Sequence, residues 1–451
     1  MSKARKTLTC IIPALLLISF AAYAVFSSRA GLATVIGAAA YLIMFAFAAI
    51  ACIKGFLDFF REPDALPPSA SLGARSRKRL HPTGKIILYS LLAQVVFILA
   101  VYILNNLING FQRTIFDWYG DAFVNSASPF STGSAIASEK FAVIPFLPNF
   151  TALISNLTGI DQALPAFILN TVTVTVLCVV LYEFMLLDFN KRTASFAVVL
   201  LLISPAAVYM MMPLSGNALF VLLTLLVFLM RRKGKPFLCG IFAMLAAMVN
   251  IFGFLLFIPV LLEGIRGCIL AAHIDTADND NGESKARKRD KKAKAVSETV
   301  TSLVPLLALM IFILVVHFAS IGPEFPLENI YPQEFRFFFE AFNEPALSIA
   351  DREFTFRAVY QILPLAGLGI LLCVCLNGIR SSYAILLMLL FAFAPTVFGT
   401  EMFPYASALF PVLPVLLASK LKSRKLRIIA GFVVFALQIL FISTVFLKGR
   451  I

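Results

Sequence analysis

Charged side chains are scarce in this chain. Asp, Glu, Lys and Arg supply 14% of the 451 residues, and 60% are hydrophobic, against roughly 45–50% in soluble domains. A water-soluble fold of that composition lacks the polar groups to cover its surface, and the apolar residues come in blocks of membrane-spanning length. Period-two alternation is missing from those blocks, which excludes lipid-spanning strands. Cysteine is missing from every candidate exterior loop. The seven present (Cys10, Cys52, Cys178, Cys239, Cys268, Cys373, Cys375) lie in apolar stretches or beside basic segments, so neither a disulfide nor a metal site is expected. A cleavable signal is lacking too. Lys3, Arg5 and Lys6 precede an apolar stretch, but no small-residue cleavage site with a mature soluble domain follows. The first span is therefore expected to remain as an anchor.

What is present is an excess of positive charge, +14 overall. The basic residues sit in short clusters between apolar blocks, at 75–79, 231–235, 285–294 and 420–427. The positive-inside rule produces that distribution, and no nucleic-acid partner is needed to explain it. By length, the apolar blocks read as helices over 8–27, 31–56, 86–107, 163–187, 195–213 and 217–230, then 300–320, 357–376, 382–399, 404–419 and 428–447. The expected fold is an all-α polytopic transmembrane protein with about 11 full spans plus a short helical hairpin.

An inside N-terminus puts 61–85 in the cytoplasm and delivers 108–160 to the exterior, and the cluster at 231–235 returns inside. Residues 237–263 are long enough for one helix, yet basic clusters flank them on both sides. Two short helices turning around 250–253 keep both clusters inside, so a hairpin is expected there. Half-length helices are tolerated at membrane depth only where protein or a water-filled cavity surrounds them, which places Asn250 near a buried cavity on the exterior side. Residues 271–297, hydrophilic and alternately acidic and basic, read as a disordered cytoplasmic loop. Residues 321–356 read as a second exterior segment carrying interfacial helices. The chain thus divides into an N-terminal helical pair with a basic loop (1–85), a core (86–267), a charged linker (268–299) and C-terminal helices (300–451).

The first exterior loop holds Phe116-Asp117-Trp118-Tyr119-Gly120-Asp121, with the single tryptophan. A carboxylate just beyond a membrane helix suits a general base for an acceptor hydroxyl, because low local dielectric raises its basicity. Taken alone, the hexapeptide reads more simply as an interfacial aromatic belt with solvated acids. Further along come Val143-Ile144-Pro145-Phe146-Leu147-Pro148, then Ser204-Pro205, then Leu214-Ser215-Gly216-Asn217-Ala218-Leu219-Phe220, the cluster at 231–235 and the turn at 250–253.

This order of elements over 110–265 resembles the PIG-V family, the second mannosyltransferases of GPI-anchor synthesis, and their prokaryotic relatives. Tyr405 to Pro411 is similar to that family's Arg-Tyr followed by Phe-Pro. The resemblance implies a GT-C-like membrane glycosyltransferase that takes sugar from a polyprenyl-phosphate carrier, with Asp117 as the catalytic carboxylate. It also implies that Trp118, Tyr119, Asp121, Pro145, Pro148, Ser215, Asn217, Asn250 and Tyr405 bind substrate. The chain departs from the family where Phe116 replaces a Trp, Gly216 a Glu, Asn250 an Arg and Pro404 an Arg. Losing two cations removes charge from any phosphate site, since Asn offers hydrogen bonds only.

The resemblance further implies a polyprenyl-phosphate-linked sugar as donor, a lipid or glycan acceptor, and membrane lipids as surroundings. A divalent cation is the one cofactor candidate. The alternative is a catalytically silent relative that binds a lipid-linked intermediate or a partner enzyme, given Gly216 and Asn250. A transporter of a lipid-linked substrate is disfavoured, because no pair of Gly/Pro-interrupted helices recurs in matching halves.

Overall fold

Local sequence sets where several helices begin and end. The Asn190 side chain accepts a hydrogen bond from the Thr193 N–H at 2.9 Å, satisfying one of the donors that a helix start leaves open. Gly234 adopts φ +68°, and its N–H bonds the Arg231 carbonyl while the Lys235 N–H reaches back to the Met230 carbonyl, both at 3.0 Å. That pair closes a helix as a Schellman motif. Pro236 opens the next helix at its first position, where no N–H is required.

A computed structural model describes residues 80–109, 146–160, 163–187, 189–204, 207–211, 217–273, 282–319, 418, 421 and 423–441. The described part is all helical. Its elements are α1 (Leu80–Asn109), α2 (Phe146–Thr158), α3 (Ala163–Met185), α4 (Lys191–Leu202), α5 (Ala207–Met211), α6 (Asn217–Arg232), α7 (Pro236–Val249), a 3-10 segment (Ile251–Leu256), α8 (Phe257–His273), α9 (Gly282–Ala319) and α10 (Arg424–Phe441). Among the described residues, three helices are long and apolar enough to cross a membrane: Thr83–Leu104 within α1, Leu164–Met185 within α3 and Lys292–Val315 within α9. α1, α9 and α10 turn large apolar side chains outward, among them Leu88, Leu92, Phe312 and Phe432.

Hydrogen bonds and close approaches fix the helix directions. Ser90 meets Thr175, and Gln94 one turn later meets Thr171, so α1 and α3 are antiparallel. Asn170, near the start of α3, donates to the carbonyls of Met210 and Met211 at the end of α5. α6 begins shortly afterwards and packs along α3, so the two run the same way. The Gly234 turn then sends α7 back. Gly240 lies against Ser302 and Pro305, while Ala247 packs on Leu306, Leu309 and Ile313, so α7 and α9 are parallel. Gly264 lies against Thr299 and Gly267 against Ala295, so α8 and α9 are antiparallel. The chain therefore reverses between α7 and α8, as the flanking charge clusters led one to expect. Thr193 meets Arg427 and Leu202 meets Gln438, so α4 and α10 are parallel.

These directions bring charge together. Lys85 starts α1, Lys191 and Arg192 start α4, and residues 231–235 turn α6 into α7. Arg266 lies beside the Gly267–Ala295 contact, residues 285–294 start α9, and Arg424, Lys425 and Arg427 start α10. Every lysine and arginine among the described residues thus lies at one end of the array, the basic end. α1 finishes, and α3 and α6 begin, at the opposite end.

Two expectations are corrected. Residues 282–297, read as part of a disordered loop, form the first turns of α9, which continues to Ala319. Ala, Lys, Arg and Glu are strong helix formers, and the long apolar helix that follows supplies the nucleus these residues extend. The expected span 195–213 is not continuous: α4 ends at Leu202, and α5 resumes at Ala207 for only 5 residues. Pro205 follows Ser204 in sequence, and a proline both lacks an N–H and disfavours helical backbone before it. The N-terminal pair of helices, the segment 321–356 and the spans 357–376 and 382–399 lie outside the described residues, as do all of 404–419 except position 418.

Candidate functional site

The reversal between α7 and α8 is the best-defined part of the candidate site. α7 has 14 residues, or about 21 Å of helix, against a hydrocarbon core of ~30 Å. Asn250 ends it in an extended conformation, φ −149° and ψ 133°. Its N–H bonds the Ala246 carbonyl at 2.9 Å, and its carbonyl accepts from the Gly253 N–H at 2.8 Å. The residue is 5% exposed, so the polar side chain sits inside the protein. Gly253 allows the close return, because a Cβ there would overlap the backbone of Ala246 and Ala247. Ala247 is itself fully buried against Leu306 and Leu309 of α9.

Asn217 is the first residue of α6 and belongs to the end opposite the basic one. α7 runs towards that same end, so Asn250 lies on the side of the array away from every described cation. α1 also finishes there, at Asn109, and the chain leads on from it towards Asp117. Pro148 lies in the first turn of α2, whose far end passes through Gly159 towards the start of α3. Asp117, Trp118, Tyr119, Asp121, Pro145, Ser215 and Tyr405 lie outside the described residues. Among the described residues, no group of three or more His, Cys, Asp or Glu is placed to hold a metal ion.

A scan against protein-family models finds no match, nor does a search of curated proteins or of solved structures.

Gln94 and Asn170 are buried polar side chains that hold helices together. Gln94 of α1 donates to Ser90 Oγ at 3.2 Å and to Thr175 Oγ1 at 3.3 Å, with longer contacts to the carbonyls of Ser90 and Thr171. Asn170 spends its amide on two carbonyls at the end of α5, at 3.1 and 3.2 Å. Both are polar side chains within apolar stretches, a signal visible in the sequence. Their partners, helices far apart along the chain, were not. Their hydrogen bonds join helices, which is the use such groups have in apolar surroundings.

Proposed function

We propose that this chain is a multi-pass integral membrane protein of GT-C-like architecture, a mannosyltransferase-like glycosyltransferase. In this reading it moves sugar from a polyprenyl-phosphate carrier to a lipid or glycan acceptor on the non-cytoplasmic face. The observation that carries the reading is the segregation of charge. Every described lysine and arginine is at one end, while the end of α1 that leads to Asp117, the start of α6 at Asn217 and the turn at Asn250 are at the other. An inserted array with its basic end in the cytoplasm would have that distribution. It would put these candidate residues on the exterior side, where a lipid-linked donor is used. The outward apolar side chains of α1, α9 and α10 then contact lipid, as exposed apolar patches of this kind require a covering phase.

In the transfer step, the Asp117 carboxylate takes the proton of an acceptor hydroxyl as its oxygen attacks the anomeric carbon. The bond from that carbon to phosphate breaks, and polyprenyl phosphate leaves with the electron pair. Asn250, buried at the reversal, supplies hydrogen bonds without charge. That neutral residue favours one second reading, a silent relative that binds a lipid-linked intermediate without turning it over.

The test is direct. The purified chain in lipid nanodiscs is given short-chain polyprenyl-phosphate-mannose and extracted membrane lipid. A glycosylated product dependent on Asp117 supports the transferase. Donor binding with no turnover supports the silent relative, and neither binding nor turnover refutes both.

A further inference from the structure

α9 begins well before it becomes apolar. Over residues 283–294 it carries seven cations, Lys285, Arg287, Lys288, Arg289, Lys291, Lys292 and Lys294, against two acids, Glu283 and Asp290. The helix does not break between this stretch and its apolar part, which starts at Lys292. Lys292 and Lys294 are exposed, and Lys294 makes only a marginal 4.0 Å ion pair with Glu298. Cations therefore outnumber acids by five along this stretch. A stretch with this excess of positive charge attracts an external anion.

Neighbouring elements add charge at the same end of the array. Arg231 reaches Ser302 of α9 at 3.5 Å, so the turn at 231–235 packs beside the middle of α9. The contact of Gly267 with Ala295 brings the backbone of Arg266 alongside residues 294–295. The turn at 231–235 and the backbone of residue 266 on α8 thus share this end of the array with the start of α9.

Resting on the membrane placement above but not on the transferase reading, we propose that this basic end is a binding surface for anionic phospholipid headgroups. A basic helix continuous with an apolar span brings its last exposed cations, Lys292 and Lys294, to headgroup depth. Lysines there are attracted to an anionic leaflet, and those more than a Debye length away are screened.

The test uses the full chain in bilayers of phosphatidylcholine with a minor fraction of phosphatidylglycerol. Spin-labelled phosphatidylglycerol and phosphatidylcholine report, by electron spin resonance, which lipid the protein immobilises. The expected result is a preference for phosphatidylglycerol that disappears near 1 M salt, where the Debye length is ~3 Å. Each lysine near an anionic surface contributes roughly fivefold. The combined Lys291→Gln, Lys292→Gln and Lys294→Gln variant should therefore lower the preference by up to roughly a hundredfold, and Lys→Arg at the same positions should keep it. Equal immobilisation of the two lipids by the natural chain overturns the proposal, as does an unchanged preference in the glutamine variant. Failure of the chain to insert into bilayers at all refutes the membrane placement itself.

Discussion

Gly253→Ala tests whether the reversal between α7 and α8 holds this helical array together. The added Cβ falls on the backbone of Ala246 and Ala247, where no flexible side chain can swing away. Either the 3-10 segment moves outward or α7 shifts against α9. Overpacking costs typically ~1–3 kcal/mol, and backbone obstruction puts this case at the upper limit. Displacing Ala247 also loosens its contact with Leu306, Leu309 and Ile313, so a total of about 3 kcal/mol or more is expected. Gly84→Ala is the contrast. Nothing lies within 4 Å of a Cβ there, and Gly84 is inside α1, so alanine should stabilise by roughly 0.5–1 kcal/mol. Both variants are compared with the natural chain by denaturant unfolding in detergent, followed by circular dichroism. Equal midpoints for Gly253→Ala and the natural chain would refute the packing described at the turn.

Two further variants probe the proposed chemistry. Asp117→Asn keeps size and hydrogen bonding but removes the base, so product formation should fall by roughly 10²–10⁴-fold with folding unchanged. Asp121→Asn should matter less, and equal rates for Asp117→Asn and the natural chain would end the catalytic assignment. Asn250→Arg adds a charge-assisted contact if donor phosphate lies beside it, and donor binding should then tighten. Weaker binding with a lower melting temperature on the same sample would show a buried unpaired charge instead and favour the silent relative.

How far the sequence reveals this structure depends on the kind of signal each part carries. The reversal around 250–253 was legible because basic clusters on both sides of 237–263 forbid a single crossing. α3 was legible because its apolar block is long and uninterrupted, and the structure has it at Ala163–Met185. The start of α9 was misread. Its mixed charges resemble a solvated linker, but their helix propensity and the adjoining apolar helix decide the outcome. The break after Leu202 is only half legible, since Pro205 disfavours helical backbone before it while the apolar block itself continues through to 213. The contacts of Gln94 with Thr175 and of Asn170 with Met210 were not legible, because a lone polar residue in an apolar stretch does not name its partner. At the candidate site, Asn217 and Asn250 lie at the end of the array opposite the described cations, and Asp117 lies outside the described residues.

The most direct test of the account is which side of the membrane each end of the array faces. On a cysteine-free background in intact cells or sealed vesicles, single cysteines are introduced at Asp121, Glu340, Lys233 and Lys288 and exposed to an impermeant thiol reagent. The account predicts labelling from the outside at 121 and 340, and at 233 and 288 only after the membrane is opened. Labelling of position 288 from outside while 233 stays protected would contradict it. The two basic clusters would then lie on opposite faces, which the reversal at Asn250 forbids.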